Sequence, residues 1–308
     1  MHGHAHHHHH HHHAPSADAD RRVLALALAL ILGFMVVEVV AGVLAGSLAL
    51  LSDAGHMLTD AGALGLALVA ARLAARPPSG GFTFGLKRAE ILSAQLNGAV
   101  LLVLGGIIAY GAIGRLADPP EVDGALVLAV GAAGAAVNVA AAYTLARAER
   151  QSLNVEGARQ HVLTDLYASV AAMAAGALVL AAGADVADPL AALLVAGLMG
   201  LSAWRLLRDS GRVLLEAAPR GARPEEIGQA MARQPGVVEV HDLHLWEVTT
   251  GFPALAGHVM VAPGDDCHAT RRALQAMLRD EYAIEHTTLQ VDHAPRQDLL
   301  EIEPRRLP

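Results

Sequence analysis

Cysteine occurs once in 308 residues, at Cys267. No intrachain disulfide can form, and the redox compartment cannot be read from cysteine pairing. Lysine also occurs once, at Lys87; every other basic side chain is arginine. Charged residues make up 17% of the chain against 54% hydrophobic ones, with a mean hydropathy of +0.39. That is too little charge for an ordinary soluble enzyme and indicates a membrane protein. No cleavable signal peptide is evident, because the start is polyhistidine and the first apolar run is too long for a signal h-region. That run is expected to be retained. No GxxxxGK[ST] loop is present, and the nearest stretch, GGFTFGLKR, lacks the Gly-Lys pair. An ATP-driven reaction is therefore not expected. The absence of HExxH removes the commonest zinc-protease signature. No nucleic-acid partner is expected.

What is present is a series of six apolar runs, at residues 23–45, 48–73, 91–113, 125–145, 162–182 and 189–207. Each is close to the roughly 20 residues a helix needs to cross a bilayer. The first opens LALALALAL, but alanine is apolar too, so the run is continuous and reads as helix. Abundant glycine and alanine predict closely approaching helices. Basic residues are unevenly shared among the loops. Arg21, Arg22, Arg72, Arg76, Lys87, Arg88, Arg147, Arg150, Arg159, Arg205, Arg208 and Arg212 flank one side. The other carries Arg115 beside Asp118, Glu121, Asp123, Asp185 and Asp188. By the positive-inside rule both termini are expected in the cytoplasm. The implied division is a His-rich tail at 1–20, a six-helix membrane domain at 21–211, a cytoplasmic α+β domain at 212–295 and a loose tail at 296–308. Within the α+β part, helices are expected at 224–234 and 268–282. Strands are expected at 237–248, 253–261 and 284–292, forming one sheet with helices on one face.

Two of the apolar runs contain the same polar pair. HMLTD places His56 four residues before Asp60, and HVLTD places His161 four residues before Asp165. Residues i and i+4 share a helix face. Each pair therefore offers one nitrogen and one oxygen from a single helix. Two such helices brought together give two imidazoles and two carboxylates, a set that suits tetrahedral Zn2+. A lone pair of this kind could be a local hydrogen bond. Two identical pairs in separate spans point to a metal path, because ionisable groups inside a membrane are costly. Imidazole binds metal only when neutral, so binding releases protons and protonation expels metal. A proton gradient can drive a cation the other way if the site faces each side in turn.

The stretches SLALLSDAGHMLTD, FTFGLKRAEIL, SLNVEGARQHVLTD, VHDLHLWEVTTGFPALAGHV and IEHTTLQVD, in this order, resemble the cation diffusion facilitator family, in its bacterial zinc and cadmium efflux branch. The resemblance covers nearly the whole chain after the histidine tract. It implies a Y-shaped homodimer in the inner membrane, six helices per subunit, a ferredoxin-like, metallochaperone-like cytoplasmic domain, and exchange of Zn2+, with Cd2+ also accepted, for H+. The transport site would be His56, Asp60, His161 and Asp165. Manganese-type members usually carry carboxylates where His161 or His56 stands. Regulatory zinc sites of the family resemble His241, His258, His268 and Asp292 or His293. Arg88 and Glu216 resemble positions that interlock the membrane and cytoplasmic halves.

Some residues stay open to two readings. Glu38, Asp53 and Asn138 either face the site or make interhelical hydrogen bonds or line a solvated funnel. His241 and His244, three apart in a strand, are expected on opposite faces. The loop PPSGGFTFGLK holds no His or Asp, so the extra loop metal site of some relatives is expected to be absent. The HGHAHHHHHHHH tract is either native or a purification tag. A membrane-anchored metal sensor that transports nothing is the rival reading of the whole chain.

Overall fold

Continuous apolar sequence becomes helix because in lipid only a helix satisfies its own backbone locally. The structure, a computed structural model, describes residues 32–146 and 153–294. The helices are α1 (Leu32–Ala45), α2 (Leu48–Ala74), α3 (Ala89–Ala117), α4 (Gly124–Ala146), α5 (Leu153–Ala182) and α6 (Ala187–Leu214). By length and composition, four have a stretch that can cross a membrane: Leu48–Ala74, Ala89–Ala117, Leu163–Ala182 and Ala187–Leu214. Leu32–Ala45 and Gly124–Ala140 are shorter apolar helices. Of the segment expected at 23–45, only residues from 32 on are described. α3 and α6 overrun the apolar runs at both ends, because polar residues continue a helix wherever nothing breaks it. Large apolar side chains point outward along the helices; Leu44, Ile107, Leu180 and Trp204 are all exposed. In water this surface would aggregate; against lipid chains it is the matching solvent.

The chain divides into two compact units, residues 1–62 with 100–201 and residues 63–99 with 202–308. In the first, Ala41, Leu50, Val127, Val130, Ala172, Ala175 and Val179 form one core. α4 and α5 meet at backbone contact. A Cβ on Gly131 would stand 2.7 Å from the Met173 nitrogen, and one on Gly124 would stand 2.8 Å from the Gly176 oxygen. Only glycine permits that approach.

In the second unit, α7 (Pro224–Ala232), β1 (Val237–Thr249), β2 (Phe252–Val261), α8 (Cys267–Tyr282) and β3 (His286–His293) form the α+β domain. The sheet order is β1-β2-β3, with β1 antiparallel and β3 parallel to β2. Ile227 and Met231 of α7 and Leu274, Met277 and Leu278 of α8 pack with Leu245, Leu255, Val259, Val261 and Leu289 of the sheet. Both helices thus cover one face and leave the other open. Asp266 caps α8, accepting from the N–H groups of His268 and Ala269. β3 begins at His286, two residues later than expected. The reason is the end of α8: Ala283 takes a left-handed cap conformation (φ 55), and Ile284 donates its N–H to Leu278 O and buries its side chain.

The expectation that His241 and His244 face opposite ways is overturned. His241 pairs with His258 and His244 with Ala256, so three residues of β1 span two of β2. The extra residue is a bulge at Asp242, whose φ of 50 is left-handed. It returns His244 to the open face that carries His241 and His258.

Candidate metal centre

The i, i+4 spacing on α2 does what helical geometry requires. His56 Nδ1 lies 3.5 Å from Asp60 Oδ2. His56 Nε2 lies 3.7 Å from Asp165 Oδ1, on α5. One ligand atom from each of the three residues lies within 4.8 Å of the others, close enough to share one ion. His56 and Asp165 are buried and Asp60 is half-buried. His161 stands on α5 four residues before Asp165, but its side chain lies outside the described residues. The structure therefore brings three of the four expected ligands together. A nitrogen and two carboxylate oxygens in a water-poor interior suit a borderline divalent ion such as Zn2+.

Around this cluster lies a second layer of polar groups. Asn138 on α4 donates to the Ser169 hydroxyl at 3.2 Å, and that hydroxyl donates to Asp53 Oδ2 at 3.4 Å. Asp53 precedes His56 by one turn of α2, and Glu38 on α1 has Asp53 and Asp165 as its charged neighbours. Glu38 is 0% and Asp53 1% exposed. For Asn138 and Asp53 the interhelical hydrogen-bond reading holds; for Glu38 and Asp53 the burial removes the solvated funnel.

In the cytoplasmic domain, two of the five expected ligands face each other. The His241 and His258 rings are 5.4 Å apart on the open sheet face. His268 is exposed at the start of α8. Asp292 is opposite Met260 in the sheet and accepts from Gln290 at 2.8 Å. His293 Nε2 is 2.9 Å from the Asp265 carbonyl oxygen. Of the expected set the structure thus brings together His241 and His258, while Asp292 is engaged by Gln290 and His293 by the Asp265 carbonyl. Two further groups stand beside the facing pair that sequence reasoning did not place there. Asp242 lies 2.9 Å from His244 and 3.9 Å from His258. Only a bulge puts them together, and nothing in strand periodicity signals one.

The loop without metal ligands has another use. Phe84 meets the His286 ring edge-on at 5.2 Å, and Lys87 lies over Phe252 at 5.0 Å. Arg88 Nη2 pairs with Glu216 Oε1 at 2.9 Å, and Thr249 donates to Glu90 at 3.2 Å. FTFGLKRAE thus docks on one end of the sheet, where β1 stops and β2 and β3 start, and on the segment after α6.

Apolar helices fit for a bilayer, with possible ligand atoms converging between two of them, define a multi-spanning membrane protein with a candidate cation site in its interior. Residues 24–215 match the cation efflux transmembrane domain and residues 219–294 the cation efflux protein cytoplasmic domain. The chain belongs to the cation efflux family, the cation diffusion facilitators of the resemblance above, and is a transporter. It is 43% identical over 265 residues to the zinc transporter ZitB of Escherichia coli, covering 85% of this chain and 84% of that one. It is 37% identical over 269 residues to the cadmium, cobalt and zinc/H(+)-K(+) antiporter of Bacillus velezensis, covering 86% of each. The solved metal-bound C-terminal domain of the CzcD transporter from Cupriavidus metallidurans is 31% identical, covers 23% of this chain and 97% of its own, and has a TM-score of 0.22.

Proposed function

We propose that this protein exports Zn2+, and also Cd2+, from the cytoplasm in exchange for H+. The transport site is His56, Asp60, His161 and Asp165. The observation that carries the reading is the convergence of His56, Asp60 and Asp165 from two helices. The relatives named as zinc transporter and as zinc/H(+)-K(+) antiporter support the cargo and the coupling. Zn2+ enters when both imidazoles are neutral and leaves when they take up protons, so the flow of protons inward drives metal outward. Four protein ligands leave no open coordination position, which suits carriage rather than catalysis.

The chain works as a homodimer in the inner membrane, with six spans per subunit and both termini in the cytoplasm. Residues 21–211 carry transport and residues 212–295 regulate it. A second Zn2+ binds the cytoplasmic sheet through ligands drawn from His241, His258, His268, Asp292 and His293, and favours transport when cytoplasmic metal rises. The tails 1–20 and 296–308 lie outside the described residues; a native histidine tract in the first would collect metal and would not be needed for the transport step.

The test is metal uptake into proteoliposomes under an imposed pH gradient, with Zn2+ and Cd2+ compared. Asp60→Ala and Asp165→Ala should each abolish uptake, and dissipating the gradient should collapse it in the intact protein. Equal flux in all three proteins would end the site assignment. Metal binding with no flux at all would favour the sensor reading.

A further inference from the structure

The first N–H groups of a helix have no partner inside it. In α2 each of the first three is answered. Leu48 donates to Asp188 Oδ2 at 2.7 Å and Ala49 to Asp188 Oδ1 at 3.3 Å. Leu50 donates to the Ser47 hydroxyl at 3.1 Å, and that hydroxyl donates to Asp188 Oδ1. Ser47 is an ordinary local cap. Asp188 is not local: it comes from the first turn of α6, 140 positions along the chain. Both residues are 0% exposed. One buried carboxylate therefore sits at the N-termini of two helices, where both dipoles favour an anion.

The same turn is gripped from other elements. Arg115, at the end of α3, donates to the Gly46 oxygen at 2.8 Å, and Asp123 N–H donates to the Ala45 oxygen at 3.0 Å. Gly46 has a φ of 68, and a Cβ there would stand 3.2 Å from the Glu121 oxygen. The start of α2 cannot slide or turn without breaking several of these bonds. His56 follows eight residues after Leu48, about 12 Å along a stiff helix. Where α2 starts therefore decides where His56 and Asp60 point.

We propose that Asp188 is a positioning residue for the metal centre: by capping α2 from α6 it fixes the height and rotation of α2, and with them the placement of His56 and Asp60 against Asp165. Asp188 touches no cargo. The inference rests on the reading of that cluster as the transport site.

The full-length protein is reconstituted and Zn2+ flux is measured against concentration, with the melting temperature of each variant recorded. Asp188→Ala should raise KM about tenfold or more, since a displacement of about 1 Å at a reacting centre can cost on the order of a hundredfold. Ser47→Ala and Asp188→Asn, which each keep part of the cap, should raise KM about threefold. The double variant Ser47→Ala/Asp188→Ala should be no worse than Asp188→Ala, because both act through one cap. A merely structural role would lower the melting temperature and leave KM alone. A folded Asp188→Ala with wild-type KM overturns the proposal. If Asp188→Ala does not fold, wild-type KM in both Ser47→Ala and Asp188→Asn overturns it. Asp60→Ala is run beside them: full flux there sinks the site itself. Lost flux there with wild-type KM in the Asp188 variants sinks only the positioning role.

Discussion

An imidazole and a carboxylate differ in softness, and that difference is the main handle on which cation the centre prefers. His56 supplies an imidazole whose Nδ1 lies near Asp60 and whose Nε2 lies near Asp165. Replacing it by His56→Asp shifts the proposed set toward harder oxygen donors, three carboxylates beside the His161 imidazole, which suits Mn2+ better and Zn2+ worse. Zn2+ uptake should fall at least about tenfold while Mn2+ uptake rises, read by competing the two metals in one vesicle preparation. Unchanged preference would mean that His56 does not touch the cargo. At this scale the spacing in HMLTD was enough to pair His56 with Asp60, because a helix makes i and i+4 neighbours whatever surrounds it. The Asn138–Ser169–Asp53 chain crosses three helices. Its members were visible as polar residues in apolar runs, but no local rule says which meets which.

Helices set the distance between the two halves of the centre. α5 carries Asp165 and packs on α4 through glycines that leave no room for a Cβ; at Gly176 one would overlap the Leu128 backbone. Gly176→Ala must push α4 and α5 apart, an overpacking loss of about 1–3 kcal/mol. The melting temperature should drop, and Gly197→Ala, where nothing lies within 4 Å, should leave it unchanged. Among the helices of the cytoplasmic domain, α8 depends on its cap. The Asp266 carboxyl is held below its ordinary range, first by the Ala269 N–H, with His268 N–H and the Arg272 charge adding to it. A depressed folded-state value means that its contribution is fully present above the ordinary carboxylate pKa and is lost as the pH falls through the lower folded value. Asp266→Asn, an equally good cap without a titrating group, should remove that part of the acid loss. Melting curves at neutral and strongly acid pH decide this. Identical acid sensitivity in both proteins would remove Asp266 from the account.

Over the whole molecule, the segment FTFGLKRAE is the physical link that ties the loop between α2 and α3 to the sheet and to the end of α6. Its Arg88–Glu216 pair is half open to solvent, so its worth to stability is at most about 1 kcal/mol. Any large effect on flux must then come from coupling. Arg88→Glu or Glu216→Arg should each lower Zn2+ flux several-fold at nearly unchanged melting temperature, and Arg88→Glu/Glu216→Arg should restore it. Failure of that rescue in proteoliposome assays would show that the pair is not a link.

Helical membrane character, the existence of an α+β domain and the pairing of His56 with Asp60 were settled by local chemistry: apolar runs, turn residues, and a polar pair spaced at one helical turn. Such signals need only a few neighbours along the chain, so one sequence carries them. The tertiary structure decided what depends on distant segments meeting. It put His56 against Asp165 and curled β1 at Asp242 so that three histidines share a face. It also set Asp188 as the cap of a helix 140 positions away. Each of these is fixed by burial and by backbone groups in need of partners, and neither is a property that residues adjacent in sequence can declare.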